Sequence, residues 1–296
     1  MLRRRKPISV LSGLPIIAGA VLAAPVFSDH AGAEPKRVMS LNLCTDQLAL
    51  ALAGPDELVS VSFLAREPSM SPEHEKARAI NVNHGRAEEV FLADPDLVVT
   101  GTFSLHNTTQ LLKKLGFRVE EFGFNQQLDA IPEDIRRMGE LLHRQDKAQT
   151  LAAKVEKELA AAKSQACGPA PSMLIYDQNG VSPGAGTLAH SVIEAAGFRN
   201  LAAELGVNGV APFPLEAVVA ARPDVIITSS ATGNAPTLGA MVPRHPALQA
   251  LSETLVGDFI PDGTLSCASH ATVDAVRALS DLRRKLAPCS AQESGQ

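Results

Sequence analysis

The residues of this chain best suited to chemistry are few and scattered. There are four cysteines, Cys44, Cys167, Cys267 and Cys289, and no two form a Cys-x-x-Cys pair. The common spacings for structural zinc or thiol–disulfide exchange are therefore absent. His270 follows Cys267 by three positions. A thiolate and an imidazole can share a metal ion, or act as nucleophile and base when within hydrogen-bond reach. Cys44 with His270 is the pair that a secreted thiol-dependent enzyme would use. No dense His/Asp/Glu cluster offers a bare metal a site, and neither a Gly-Lys-Ser/Thr phosphate loop nor a Gly-x-Gly-x-x-Gly fingerprint is present.

A second kind of residue stands out by repetition. Residues 88–100 read EEVFLADPDLVVT and residues 216–228 read EAVVAARPDVIIT. Without gaps, Glu88 meets Glu216, Pro95 meets Pro223, Asp96 meets Asp224 and Thr100 meets Thr228. Each copy predicts a short helix, a stop at proline and a strand buried on both faces. Helix–turn–strand units are common, but a glutamate at the same offset in both halves predicts two similar lobes, each offering one carboxylate.

The elements that must carry these residues alternate between strand and helix. Strands are expected over 37–43, 58–63, 97–100 and 117–122, with helices over 47–53, 88–92 and 108–115 between them. Thr45-Asp46 is the expected cap of the first helix. A helical region follows over about 132–165, and its stretch 147–163 has no Gly or Pro. Leu151, Val155, Leu159 and Ala162 recur there at helical spacing. The pattern then restarts, with strands at 173–176, 225–228 and 256–260 and helices at 187–196, 215–221, 245–251 and 272–286. This order predicts an α/β fold with two Rossmann-like lobes, each around a mainly parallel sheet, joined by a single long α-helix. The expected boundaries are 34–130 for the N-terminal lobe, 131–166 for the helical region with its bracing helix, and 167–296 for the C-terminal lobe.

The N-terminus has the layout of a secretory signal. Arg3, Arg4, Arg5 and Lys6 precede an apolar run, and Ala31-Gly32-Ala33 offers a small-x-small cleavage site. Residues 1–33 are read as a signal peptide cleaved after Ala33. The export route, general or twin-arginine, stays open. Their removal takes away four basic residues and one acid, so the formal charge moves from −5 to −8. A mildly acidic chain argues against a nucleic-acid partner. The oxidising compartment favours disulfides, and Cys167 with Cys289, at the base of the second lobe, is the expected pair.

Taken together, the Arg37-Val-Met-Ser-Leu-Asn42 strand, the two Glu-to-Pro-Asp segments, the Ala195-Ala-Gly-Phe-Arg-Asn-Leu-Ala202 stretch and the bracing helix resemble the iron-siderophore and vitamin B12 periplasmic-binding family over residues 36–287. The resemblance implies a binding component of an ABC importer, with ligand in the cleft between two lobes and limited closure. It implies that Glu88 and Glu216 dock onto arginines of an inner-membrane permease. It implies a periplasmic location, no catalysis, no resident cofactor and a metal chelate as ligand, either a ferric siderophore or a corrinoid such as cobalamin.

Ligands of open α/β sheets lie beyond the carboxyl ends of the strands. That rule nominates Cys44, Thr45, Arg66, Arg86, Phe103, Tyr176, Phe213 and His270 as ligand-binding residues, and no residue as a ligand to a resident metal. The sequence has no Trp and one Tyr, which disfavours large conjugated ligands gripped by aromatic faces. Arg66 and Arg86 suit an anionic chelate, so a ferric siderophore leads. The protein is expected to act as a monomer. A thiol enzyme and a stand-alone chelate sensor or scavenger are the alternatives.

Overall fold

A computed structural model of the chain describes residues 34–164, 168–228 and 238–287. The expected signal peptide and the pairing of Cys167 with Cys289 lie outside the described residues.

The first half builds one five-stranded parallel sheet. Its elements are β1 (Val38–Ser40), α1 (Leu43–Leu52), β2 (Leu58–Ser62), α2 (His74–Ala77), β3 (Val82–Asn83), α3 (Ala87–Ala93), β4 (Leu97–Gly101), α4 (His106–Lys114) and β5 (Val119–Phe122). The strand order is β3-β2-β1-β4-β5. Every pairing is parallel, as alternating strands and helices require. Leu97, Val98 and Val99 of β4 are fully buried. Their side chains alternate between two apolar clusters, one under α1 and the following helices, the other under α3 and α4. One boundary departs from expectation. The first strand ends at Ser40, and Asn42 rather than Thr45-Asp46 caps α1, its side-chain oxygen accepting the Cys44 and Thr45 N–H groups at 3.0 Å.

The chain then runs through α5 (Ile131–Leu141) and the twenty-residue α6 (Gln145–Ser164). A helix of that length extends about 30 Å. Ala148, Ala152 and Val155 of α6 join the core of the first half, and Ala162 joins that of the second. Leu159 packs against both, so this helix is a shared wall. α5 approaches α6 closely because Gly139 has no side chain: a Cβ there would lie 2.1 Å from that of Ala148.

The second half repeats the plan with β6 (Ser172–Ile175), β7 (Val181–Pro183), α7 (Leu188–Ala195), β8 (Arg199–Asn200), α8 (Leu201–Glu204), β9 (Val210–Pro212), α9 (Leu215–Ala221), β10 (Val225–Ile227), α10 (Leu238–Met241), α11 (Pro246–Gln249), β11 (Leu255–Gly257) and α12 (Thr272–Leu286). A parallel sheet runs β11-β10-β6-β8, and β7 and β9 form a small antiparallel ribbon. The architecture is therefore the expected two-lobed α/β fold with mainly parallel sheets.

The repeat is visible in the backbone itself. α3 ends at Asp94 and α9 at Arg222, both in the left-handed region with φ of 45° and 46°. Pro-Asp follows in each copy. The carboxylate of Asp96 accepts the Lys36 and Arg37 N–H groups at 2.9 and 3.0 Å, pinning the start of β1. Asp224 does the same for β6, accepting the N–H and hydroxyl of Ser172 at 2.7 and 2.8 Å. The aspartate of each motif is thus a fastener for the neighbouring central strand.

Several contacts tie the lobes beyond the shared helix. Cys44, in the first turn of α1, is disulfide-bonded to Cys267 on the segment leading to α12. His270 Nε2 lies 2.8 Å from Glu73 Oε1. Gly263 sits against the Met70–Pro72 backbone, where a Cβ would meet atoms at 2.8 and 2.9 Å. On the other side, Gln126 accepts the Leu188 N–H at 3.0 Å at the start of α7.

Two outcomes follow. The disulfide closes a loop with a sequence separation of 223, so chain entropy predicts a loss of about 5 kcal/mol on its removal. Denaturant unfolding of the Cys44→Ser/Cys267→Ser variant should show a large fall in midpoint, matched by the reduced wild type. The second concerns Glu73. Burial alone would raise its pKa, but hydrogen bonds from His270 and Lys76, with their charges, outweigh this and hold it at about 2 against an ordinary 4.5. Its contribution to stability is complete above about 4.5 and is lost as pH falls from there toward 2. The wild type should lose more stability in that window than Glu73→Gln, measured by unfolding at stepped pH.

Candidate functional site

The carboxyl ends of the lobe-one strands carry exposed aromatic rings. Phe63 follows β2 and is 45% exposed, Phe103 follows β4 at 78%, and Phe124 follows β5 at 53%. They are arranged in pairs. Phe63 stacks on His84, which follows β3, with ring centroids 5.2 Å apart. Phe103 stacks on Phe124 at 4.8 Å. In the strand order one pair rises from β3 and β2, the other from β4 and β5, with β1 between. β2 and β4 are two strand spacings apart, about 10 Å. The rim thus presents two aromatic pairs flanking the exit of the central strand.

The carboxyl ends of the lobe-two strands offer a different lining. A pocket of about 270 Å³ is bordered there by Ile175, Ile227, Asp177, Asp258 and Asp262, with Ser69 contributed by the first lobe. No Arg or Lys lines it among the described residues. Among the described residues, the strand ends are aromatic on one lobe and acidic on the other.

His84 is held in a defined way. Its Nδ1 lies 3.1 Å from Glu89 Oε1. The other oxygen of the same carboxylate accepts the backbone N–H groups of His84 and Arg86 at 2.9 and 3.0 Å. Burial would raise the Glu89 pKa, but these hydrogen bonds prevail and hold it below the ordinary value. An ionised carboxylate only accepts, so Nδ1 carries a proton and donates it to Glu89. Nε2 has no hydrogen-bond partner among the described residues. Below the rim, Asp46 is fully buried and accepts the Ser62 N–H at 3.1 Å. Burial pushes its pKa up to about 7 against the pull of the Ser40 and Ser62 hydrogen bonds.

Glu88 and its neighbour Glu89 are disposed differently. Glu89 folds back to cap α3, whereas Glu88 is exposed and makes no side-chain hydrogen bond among the described residues. Glu216 is likewise exposed, and it occupies the same second position of its helix, α9.

Of the residues nominated for the cleft, Phe103 is on the rim and Arg86 is exposed at the start of α3. Others have structural duties. Thr45 is fully buried, its hydroxyl 2.8 Å from that of Ser40. Tyr176 and Phe213 are 1% and 5% exposed and belong to the lobe-two core, the tyrosine hydroxyl donating to the Phe213 carbonyl at 3.2 Å. The Arg66 guanidinium donates to the carbonyls of Ala77, Arg78 and Ile80, bracing its own loop rather than offering charge to an anion. Cys44 has no thiol, being bonded to Cys267, and His270 faces Glu73. The Cys44/His270 enzyme reading thus loses its nucleophile, and the shared metal site loses its thiolate. Phe124 was missed, although its place after a strand and a glycine follows the rule that nominated Phe103.

The family model for periplasmic binding protein matches residues 38–254. A cobalamin-binding protein of Halobacterium salinarum is 25% identical over 258 residues, 85% of this chain and 68% of that one. The fold resembles the periplasmic heme-binding protein RhuT of Roseiflexus sp. RS-1, at 24% identity, a TM-score of 0.64, and 84% and 96% coverage of the two chains. It also resembles the periplasmic vitamin B12 binding protein BtuF of Vibrio cholerae, at 20% identity, a TM-score of 0.65, and 85% and 98% coverage. The heme-binding protein HutB of that organism matches at 18% identity and a TM-score of 0.69, covering 85% of this chain and 99% of its own. Matched by the family model over residues 38–254 and folded into two α/β lobes, the chain belongs to the periplasmic binding protein family, the substrate-binding components of ABC importers.

Proposed function

We propose that the protein is exported, with its signal peptide removed after Ala33, and that as a monomer it captures a corrinoid-like metal chelate and delivers it to an inner-membrane permease. The observation that carries the ligand class is the pair of stacked aromatic groups on the lobe-one rim. Ring pairs beyond the strands on either side of β1 suit the face of a flat conjugated macrocycle. They answer the shortage of Trp and Tyr, because Phe and His supply the faces instead.

The pocket on the second lobe is bordered by Asp177, Asp258 and Asp262, and Asp177 Oδ1 accepts the Gln178 N–H at 2.7 Å. Arg66, committed to backbone carbonyls, no longer argues for an anion. His84 Nε2 offers a nitrogen ligand to the metal of the chelate. The cobalamin-binding relative from Halobacterium salinarum supports the same class.

Delivery rests on Glu88 and Glu216. Exposed carboxylates at matched positions on the two lobes suit bidentate pairing with arginines of a permease, and two such contacts fix orientation.

Aquacobinamide, cobalamin, haemin and ferric siderophores should be tested by thermal shift and absorbance titration. A ligand at a hundred times its Kd stabilises the folded protein by about 2.7 kcal/mol. Corrinoids are expected to give the largest shifts, and Phe63→Ala and Phe103→Ala should each weaken binding. A siderophore as the only binder would overturn the macrocycle reading. For docking, Glu88→Ala/Glu216→Ala should abolish uptake in cells while leaving ligand affinity at the wild-type value. Normal uptake by that variant would remove the assigned role.

A further inference from the structure

Glu89 makes three contacts with one carboxylate, divided between its oxygens. Oε2 accepts the backbone N–H groups of His84 and Arg86 at 2.9 and 3.0 Å and so caps α3. Oε1 faces the His84 imidazole Nδ1 at 3.1 Å. A helix cap alone requires only the first set. The second holds a partly exposed imidazole in one orientation, with Phe63 stacked on its face.

A carboxylate on one ring nitrogen is the arrangement that readies the other for a metal. It places the proton, sets the plane of the ring and raises the basicity of the free nitrogen. We propose that Glu89 is a positioning residue, which fixes the His84 imidazole with its proton on Nδ1 so that Nε2 ligates the metal of the incoming chelate. The proposal rests on the reading of His84 as a cargo ligand given above. In the ligated state the Nε2 lone pair bonds the metal, and the Nδ1 proton stays in its hydrogen bond to Glu89. The same carboxylate caps the helix that presents Glu88 one residue earlier, so cargo seat and docking helix have a common anchor.

Glu89→Gln separates positioning from capping. The amide oxygen can still accept the two backbone N–H groups, but the amide nitrogen donates toward Nδ1. The imidazole must then accept at Nδ1 and carry its proton on Nε2, which blocks the metal. The variant is expected to stay folded, with an unfolding temperature only slightly below wild type because the cap loses its charge. Its affinity for aquacobinamide or ferric haem should fall about 10- to 100-fold, the usual effect of losing an outer partner of a metal-binding histidine. The absorption bands of the bound chelate should lose the imidazole-ligated signature, as in His84→Ala. Nitrogen-15 spectra of the ligand-free protein should show the Nδ1–H form in the wild type and the Nε2–H form in Glu89→Gln.

Each other outcome overturns something definite. An Nε2–H imidazole in the wild type overturns the proposal without any ligand. Wild-type affinity and spectrum in Glu89→Gln, with loss in His84→Ala, also overturns it while sparing the role of His84. Unchanged binding in His84→Ala, or no binding of either probe by the wild type, removes the cargo reading of His84 and leaves Glu89 as a helix cap only.

Discussion

The covalent bond between Cys44 and Cys267 is the constraint on which the site depends. Each lobe has its own sheet and core, so each satisfies its own burial and backbone hydrogen bonds. What neither lobe can set is the distance to the other. The long α6 sets it at the back, the disulfide sets it near the strand ends, and the Glu73–His270 pair and the Gly263 contact set it at one flank. Gln126 against the start of α7 sets the opposite flank. The aromatic rim and the acidic pocket take up their relative places as a result.

The doubling of the chain explains both what the lobes share and where they diverge. Shared features are those the fold cannot do without: the left-handed residue after α3 and α9, the Pro-Asp turn, and the aspartate that pins the start of a central strand. The exposed glutamates are shared too, though neither contributes to a core. Divergence is concentrated at the strand ends, where one lobe has paired rings and the other has aspartates.

Much of this was legible in residue order. The α/β alternation, the bracing helix and the Glu-to-Pro-Asp repeat could be read because they depend on local signals, namely apolar periodicity and a proline stop. The chemistry of the cleft was harder to read because it depends on long-range partners. Arg66 looked like a free cation until the carbonyls of residues 77–80 folded back onto it. Cys44 looked like a thiol because its partner is 223 positions away. Tyr176 and Phe213 looked like rim residues, since the strand-end rule places a residue along the chain but not on a face of the sheet. Glu89 adjoins Glu88 in the chain, and only its contacts with His84 and Arg86 show it folded back onto its helix.

The fastening of the lobes also bears on how a bound molecule leaves. A container closed by a hinge can let its contents go by swinging open on thermal energy. This one is stitched at its mouth as well as along its spine, so a wide swing would break a disulfide or expose two cores. Unloading therefore calls for work done from outside, applied where a grip exists on each half. If Glu88 and Glu216 dock as proposed, they stand on separate lobes at matching places as handles for such a pull, and the seam between the lobes is where it would act.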